Sequence, residues 1–217
     1  IRVKNKAIDF FLNSSIFIAI CSFFISFSTY SFFELEPNYN LLFLIFFATL
    51  STYNLARIFP LYLDKNTLLR NDDWYIHNKK TLLTISILSL IIVFFFASKF
   101  DHSFLLFLMH LGLFSIFYSF PFLKPLRNLP YFKIFLISYV WAAVSIGLPI
   151  LDIGFEELIQ MPILLLFAQF FLFIFAITIP FDIRDQEADL KEKIKTLPQK
   201  IGEKKLIYLS VFILAIS

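Results

Sequence analysis

Residues 82–97 read LLTISILSLIIVFFFA, and residues 41–50 read LLFLIFFATL. Both runs are apolar on every face of a helix, with no alternation that would give a strand a polar side. With their flanks they approach the roughly 20 residues that carry a helix across a hydrocarbon layer about 30 Å thick. A closed β-barrel is the other way to span lipid, but its strands alternate between a polar lumen and an apolar exterior, and neither run does so. Working outward, comparable runs predict helices at about 8–33, 39–63, 80–98, 102–120, 131–151 and 158–181, with a seventh starting near 205. The expected fold is therefore all-α: a polytopic transmembrane helical bundle forming one domain over 1–217. The chain starts without Met and stops at Ser217 inside an apolar run, so the sequence reads as a fragment truncated in its seventh helix.

Composition agrees. Apolar residues make up 59% and aromatic residues 20%, and mean hydropathy is +0.79. Charged residues are only 16%, against about 25% in soluble domains. A single cysteine, Cys21, lies in the first apolar run and rules out an intrachain disulfide. The opening Arg2, Lys4 and Lys6 followed by an apolar run resembles a signal peptide, but the run is too long for one and lacks a small-residue cleavage site.

The positive charges are unevenly spread. Three precede the first helix, five lie from Arg57 to Lys80, three from Lys124 to Lys133 and seven from Arg184 to Lys205, which leaves Lys99 alone for the other side. By the positive-inside rule the N-terminus and the 2–3, 4–5 and 6–7 loops are cytoplasmic. The expected location is a bacterial-type inner membrane, with lipids as partners and no nucleic acid. Many of the basic residues need do no more than anchor topology and bind lipid head groups.

Chemistry concentrates in three places. In ITIPFDIRDQEADLKEKIKTLPQKIGEKK, Asp182, Asp185 and Asp189 stand at i, i+3 and i+7, within an arc of about 60° on a helix. Hard oxygen ligands suit magnesium, which usually binds one or two carboxylates together with substrate phosphates. The alternative is an amphipathic helix whose acids pair with Arg184, Lys191 and Lys193. In YSFPFLKPLRNLP, Lys124 and Arg127 could clamp a diphosphate, Arg by its fork and Lys as a point charge; topology anchors have the same pattern. In TYNLARIFPLYLDKNTLLRNDDWYIHNKK, Arg57 precedes Pro60 within an apolar stretch, with Asn54 one turn before it. Arg57 is either an intramembrane functional residue or a side chain that snorkels to the interface. Trp74 and Tyr75 read as interfacial aromatics. His77, His102 and His110 have no mutual metal-ligand spacing and read as structural.

Taken together, these three loops resemble the UbiA superfamily of membrane prenyltransferases over nearly the whole chain. The resemblance implies a bundle of nine helices around a central cavity, of which about seven are present. The family's second aspartate motif, DxxDxxxD with a GxxTLP-like tail, is similar to Asp182, Asp185 and Asp189 followed by Lys193 through Pro198, with Lys193 where the usual glycine stands. Its Y-x-P-x-x-K-R-like segment is similar to Tyr118 through Arg127. The first motif, NDxxDxxxD, departs: with Asn54 aligned, Leu55, Ile58 and Tyr62 fall where aspartates belong, and the nearby Asp64, Asp72 and Asp73 substitute only if their loop folds back.

What the resemblance implies is a magnesium-dependent enzyme that moves an isoprenyl group from an isoprenyl diphosphate to an aromatic or lipid acceptor. Asp182, Asp185 and Asp189 would hold the metal and carry catalysis, and Asn54, Arg57, Lys124 and Arg127 would bind the diphosphate. The acceptor is not legible. An alternative is a non-catalytic relative that binds an isoprenoid or a partner protein, as Leu55, Ile58 and Tyr62 would allow. A transporter or channel would need a line of ionisable groups at membrane depth, where only Arg57 and His110 stand out.

Overall fold

The computed structural model describes residues 6–63, 73–119, 129, 131–191 and 194–217. It is all-helical among the described residues, in two compact units, Ile1–Phe107 and Leu108–Ser217. The first unit holds α1 (Lys6–Asn13), α2 (Ile16–Phe32), α3 (Tyr39–Leu63), α4 (Asp73–Ala97) and the start of α5 (His102–Ser119). The second holds the rest of α5 and α6 (Phe132–Ala142), which runs through a π-helical turn (Ala143–Gly147) into α7 (Leu148–Leu151). After a 3-10 turn (Phe155–Ile159) come α8 (Met161–Arg184), α9 (Gln186–Lys191), α10 (Leu197–Ile201) and α11 (Glu203–Ile216).

Four stretches are long and apolar enough to cross a membrane: Tyr39–Tyr62, Trp74–Ala97, Phe132–Leu151 and Met161–Arg184. The expected first span, about 8–33, is instead broken into α1 and α2, bent by 56°; counted as one it makes a fifth. The break falls at Ser14 and Ser15, both fully buried, where Ser15 takes a left-handed φ of 62°. Serine's short side chain tolerates that conformation better than the β-branched and aromatic residues around it. α4 starts earlier than the expected residue 80, because Trp74 through Lys80 continue the helix into the polar flank. The predicted fourth span is a shorter apolar helix, His102–Tyr118.

Local sequence sets several boundaries. Asn38 Oδ1 accepts the backbone N–H groups of Asn40 (3.0 Å) and Leu41 (3.4 Å) at the start of α3. Asp101 Oδ1 accepts that of Phe104 at 2.8 Å at the start of α5. Each satisfies donors that the first helical turn leaves unpaired.

The exposed surface of these helices is apolar. Only 22% of the α4 span and 28% of the α8 span is buried, and Phe94, Phe95, Leu164, Leu165 and Phe173 are exposed. Such surface calls for lipid as its solvent, and the chain is a multi-pass membrane protein.

In the first unit α3 packs on α4 through small polar residues. Ser51, Ser86 and Ser89 are buried, and Ser51 Oγ donates to the Ser86 carbonyl at 3.2 Å. Small residues let helix backbones approach, and the hydroxyl bonds across the contact. Ser51→Ala is expected to cost only about 0.6 kcal/mol, read as a small shift in unfolding in detergent micelles; a loss several times larger would show that this serine organises more than one contact.

In the second unit α6 and α11 both run antiparallel to α8. Phe135 packs tilted against Phe175 (5.0 Å between centroids) and Tyr139 tilted against Phe167 (6.3 Å). On the other side Ser210 Oγ donates to the Ala176 carbonyl at 2.8 Å. The core between them is Ile134, Phe175, Ala176, Ile179, Leu206 and Ile213.

Candidate functional site

Lys133 is the second residue of α6, and Asp182 lies in the last turn of α8. Each sits against its own helix dipole, a cation at an N-terminus and a carboxylate at a C-terminus. Antiparallel packing brings the two ends together, so each offsets the other. Lys133 Nζ is 3.1 Å from Asp182 Oδ1 and 3.0 Å from Asp189 Oδ2. The bond to Asp189 is a hydrogen bond. Asp182 Oδ1 faces the ammonium as an ion pair without good hydrogen-bond geometry. The cluster is withdrawn from solvent: side-chain exposure is 18% for Lys133, 3% for Asp182 and 6% for Asp189.

Asp185 closes α8 as its C-terminal cap. Its carboxylate accepts from Arg184 Nε at 2.9 Å and Nη2 at 3.3 Å, while the Arg184 side chain is 60% exposed. The expected common face is thus divided. Asp182 and Asp189 turn to Lys133, and Asp185 turns to its neighbour. Part of the amphipathic-helix alternative is visible here, since Arg184 does pair with an aspartate of the motif.

The segment after the aspartates is tied to the same corner. The backbone N–H of Tyr131, just ahead of α6, donates to the Lys195 carbonyl at 3.1 Å, and the Lys200 ammonium lies 4.6 Å from the Tyr131 ring centroid. The Thr196–Leu197–Pro198 turn starts α10, where the Thr196 N–H donates to Gln199 Oε1 (3.4 Å) and Gln199 Nε2 donates to the Ile194 carbonyl (3.0 Å). Further along α6, His110 Nε2 and the Tyr139 hydroxyl are 3.0 Å apart, and Phe114 meets Tyr139 edge-on.

In the first unit Asn54 and Arg57 are presented differently. Asn54 is fully buried, and neither atom of its amide finds a hydrogen-bond partner among the described residues. An orphaned buried polar group costs about 1–3 kcal/mol. Arg57 is exposed. α3 continues through Pro60 to Leu63, so Arg57 lies within the helix, and its Nη1 donates to the Tyr75 hydroxyl at the start of α4. Of the residues at the first-motif positions, Ile58 is buried in the core at 1% exposure, and Tyr62 is exposed beneath the Lys79 ammonium. Lys124 and Arg127, with Asp64 and Asp72, lie outside the described residues.

Lys133 is the residue that sequence reasoning missed, because it entered only as one more topological charge. Its signal was present: FKIFLISYVWAA places an ammonium one residue inside an apolar span, where a charge costs about 2.5–3.5 kcal/mol at full depth and calls for a partner.

The donor chemistry of the three aspartates suits magnesium, but their arrangement does not collect them around an ion. Among the described residues no group of three or more His, Cys, Asp or Glu side chains is placed to hold a metal. The space between the two buried carboxylates belongs to Lys133.

No curated protein and no solved structure matches this chain. The family model described as the UbiA prenyltransferase family matches residues 76–217. The match begins within α4, so it takes in all three aspartates and Lys133 but leaves out Asn54 and Arg57. It covers well over half of the sequence, and the chain belongs to the UbiA prenyltransferase family.

Proposed function

We propose that this chain is an integral membrane prenyltransferase that moves an isoprenyl group from an isoprenyl diphosphate to an aromatic or lipid acceptor. The observation that carries the reading is the Lys133–Asp182–Asp189 cluster, buried where two apolar spans end, inside the stretch that matches the family. Charged groups withdrawn from water at the end of a span are costly unless paired, which makes such a cluster a functional-site candidate. From this corner the partly exposed aromatic face of Phe135, Phe171, Tyr139 and Phe167 runs along α6 and α8, a wall suited to an isoprenoid tail.

In the proposed reaction the allylic C–O bond breaks, its electron pair leaves with the diphosphate, the acceptor's electrons close on the allylic carbon, and the acceptor's C–H or O–H proton is lost to the departing diphosphate or to water. Cationic side chains favour this by stabilising charge as it develops on the leaving oxygens. Arg57, Lys124 and Arg127 are assigned to that task, with Asn54 as a polar contact. Asp182, Asp185 and Asp189 are assigned to magnesium, with which the family typically works; when bound, it would neutralise the leaving group. The proposed orientation puts the N-terminus and these groups on the cytoplasmic side, following the distribution of Lys and Arg.

The test is transfer from a labelled polyprenyl diphosphate by the protein in lipid nanodiscs, supplied with a panel of aromatic and lipid acceptors. Asp185→Ala removes the carboxylate that pairs with Arg184 rather than with Lys133, and a loss of about 10²–10³ in rate is expected. Undiminished turnover counts against the assignment.

A second reading, a non-catalytic relative that binds an isoprenoid or a partner protein, is favoured by two observations. Ile58 is core rather than ligand, and Lys133 already offsets one of the two charges of the acid pair. Magnesium-dependent release of diphosphate by the protein would exclude it.

A further inference from the structure

We propose that Lys133 is a built-in latch on the acidic motif: its ammonium takes the place between Asp182 and Asp189 that a divalent cation would occupy, so that lysine and cation exclude each other there. The latch deepens the function proposed above and rests on it for the identity of the incoming ligand.

The geometry carries the argument. One nitrogen lies 3.1 Å and 3.0 Å from carboxylates on two different helices. A magnesium ion binds oxygen at about 2.0–2.1 Å and demands near-octahedral order. Drawing Asp182 and Asp189 onto such an ion leaves no room for the ammonium between them. Charge points the same way. Three aspartates present three negative charges, and Lys133 and Arg184 offset two of them. A site so nearly neutral attracts a free divalent ion weakly. A ligand that brings its own anion, such as a diphosphate, changes the balance, because a released lysine finds a phosphate oxygen in place of the carboxylates. The latch therefore disfavours binding of metal alone and favours metal that arrives together with a diphosphate.

The rest of the corner fits this role. The Tyr131 N–H to Lys195 carbonyl bond fixes the start of α6 against the chain beyond the aspartates. Lys133 can swing by its own rotatable bonds while the helix that carries it stays in place.

The experiment titrates the purified full chain with manganese alone, read by electron paramagnetic resonance of the free ion. Lys133→Met keeps the length of the side chain without its charge. Its apparent affinity for manganese is expected to exceed that of the unaltered protein by about tenfold or more, the scale on which groups beside a metal site act. Equal or weaker binding overturns the latch. Should Lys133→Met fail to fold, the unaltered protein decides: acylation of Lys133 by an amine-reactive reagent, followed by mass spectrometry, must increase as manganese rises to saturation. Unchanged labelling overturns the proposal. No prenyl donor is present in either measurement, so failure of prenyl transfer and failure of the latch are separately visible.

Discussion

Asp182→Ala is expected to lower prenyl transfer from a labelled polyprenyl diphosphate by about 10²–10³-fold and to weaken the fold at the same time. The stability loss has a definite source. Asp182 is 3% exposed and faces the Lys133 ammonium at 3.1 Å, and removing one member of a buried ion pair typically costs about 3–5 kcal/mol because the other charge is left uncompensated. Here Lys133 retains Asp189 and keeps some contact with solvent, so the expected cost is smaller, about 1–3 kcal/mol. Asp182→Asn keeps the shape and some hydrogen-bonding capacity while removing the charge. It should recover part of the stability and little of the transfer. Unfolding in detergent micelles and initial rates in nanodiscs separate the two effects. Full activity in both variants would remove Asp182 from the reaction and leave it a structural counter-ion.

Ala176→Leu is expected to be the most damaging change to packing. Ala176 is fully buried between α6 and α11, among Ile134, Ile179, Leu206 and Ile213, and its carbonyl accepts the Ser210 hydroxyl. Added methylenes must force α11 away from α8, at about 1–3 kcal/mol for the overpacking itself and about 0.6 kcal/mol for the lost interhelical hydrogen bond. For a chain of this size each kcal/mol shifts the melting temperature by about 2–4 °C. Ser210→Ala removes the hydrogen bond alone and should show only the smaller part. A melting temperature unchanged by Ala176→Leu would mean that α8 and α11 are held apart by more space than their contact implies.

Much of the fold is legible in the sequence. Spans at Tyr39–Tyr62 and Met161–Arg184 fall where apolar runs alone put them, because in lipid a helix must satisfy its own backbone and needs no partner to be recognised. The break at Ser14 and Ser15 is not legible there. Neither glycine nor proline marks it, and the left-handed φ of Ser15 depends on what buries it. The site is legible by residue type and only partly by arrangement. Asp182, Asp185 and Asp189 share a helical face by spacing, yet Asp185 turns to Arg184 while its two companions turn to Lys133. Asn54 and Arg57 are grouped by the same kind of spacing, and one is buried while the other is exposed.

Sequence alone determined that this chain is a membrane bundle of the UbiA kind with an acidic motif at the end of a span, since hydrophobic length and motif order are properties of single segments. Only the tertiary structure decided which cation answers those acids. Lys133 stands 56 residues from Asp189, and the choice is made by which helix ends packing brings together, since a charge drawn out of water must be matched by whatever charge lies within a few ångströms.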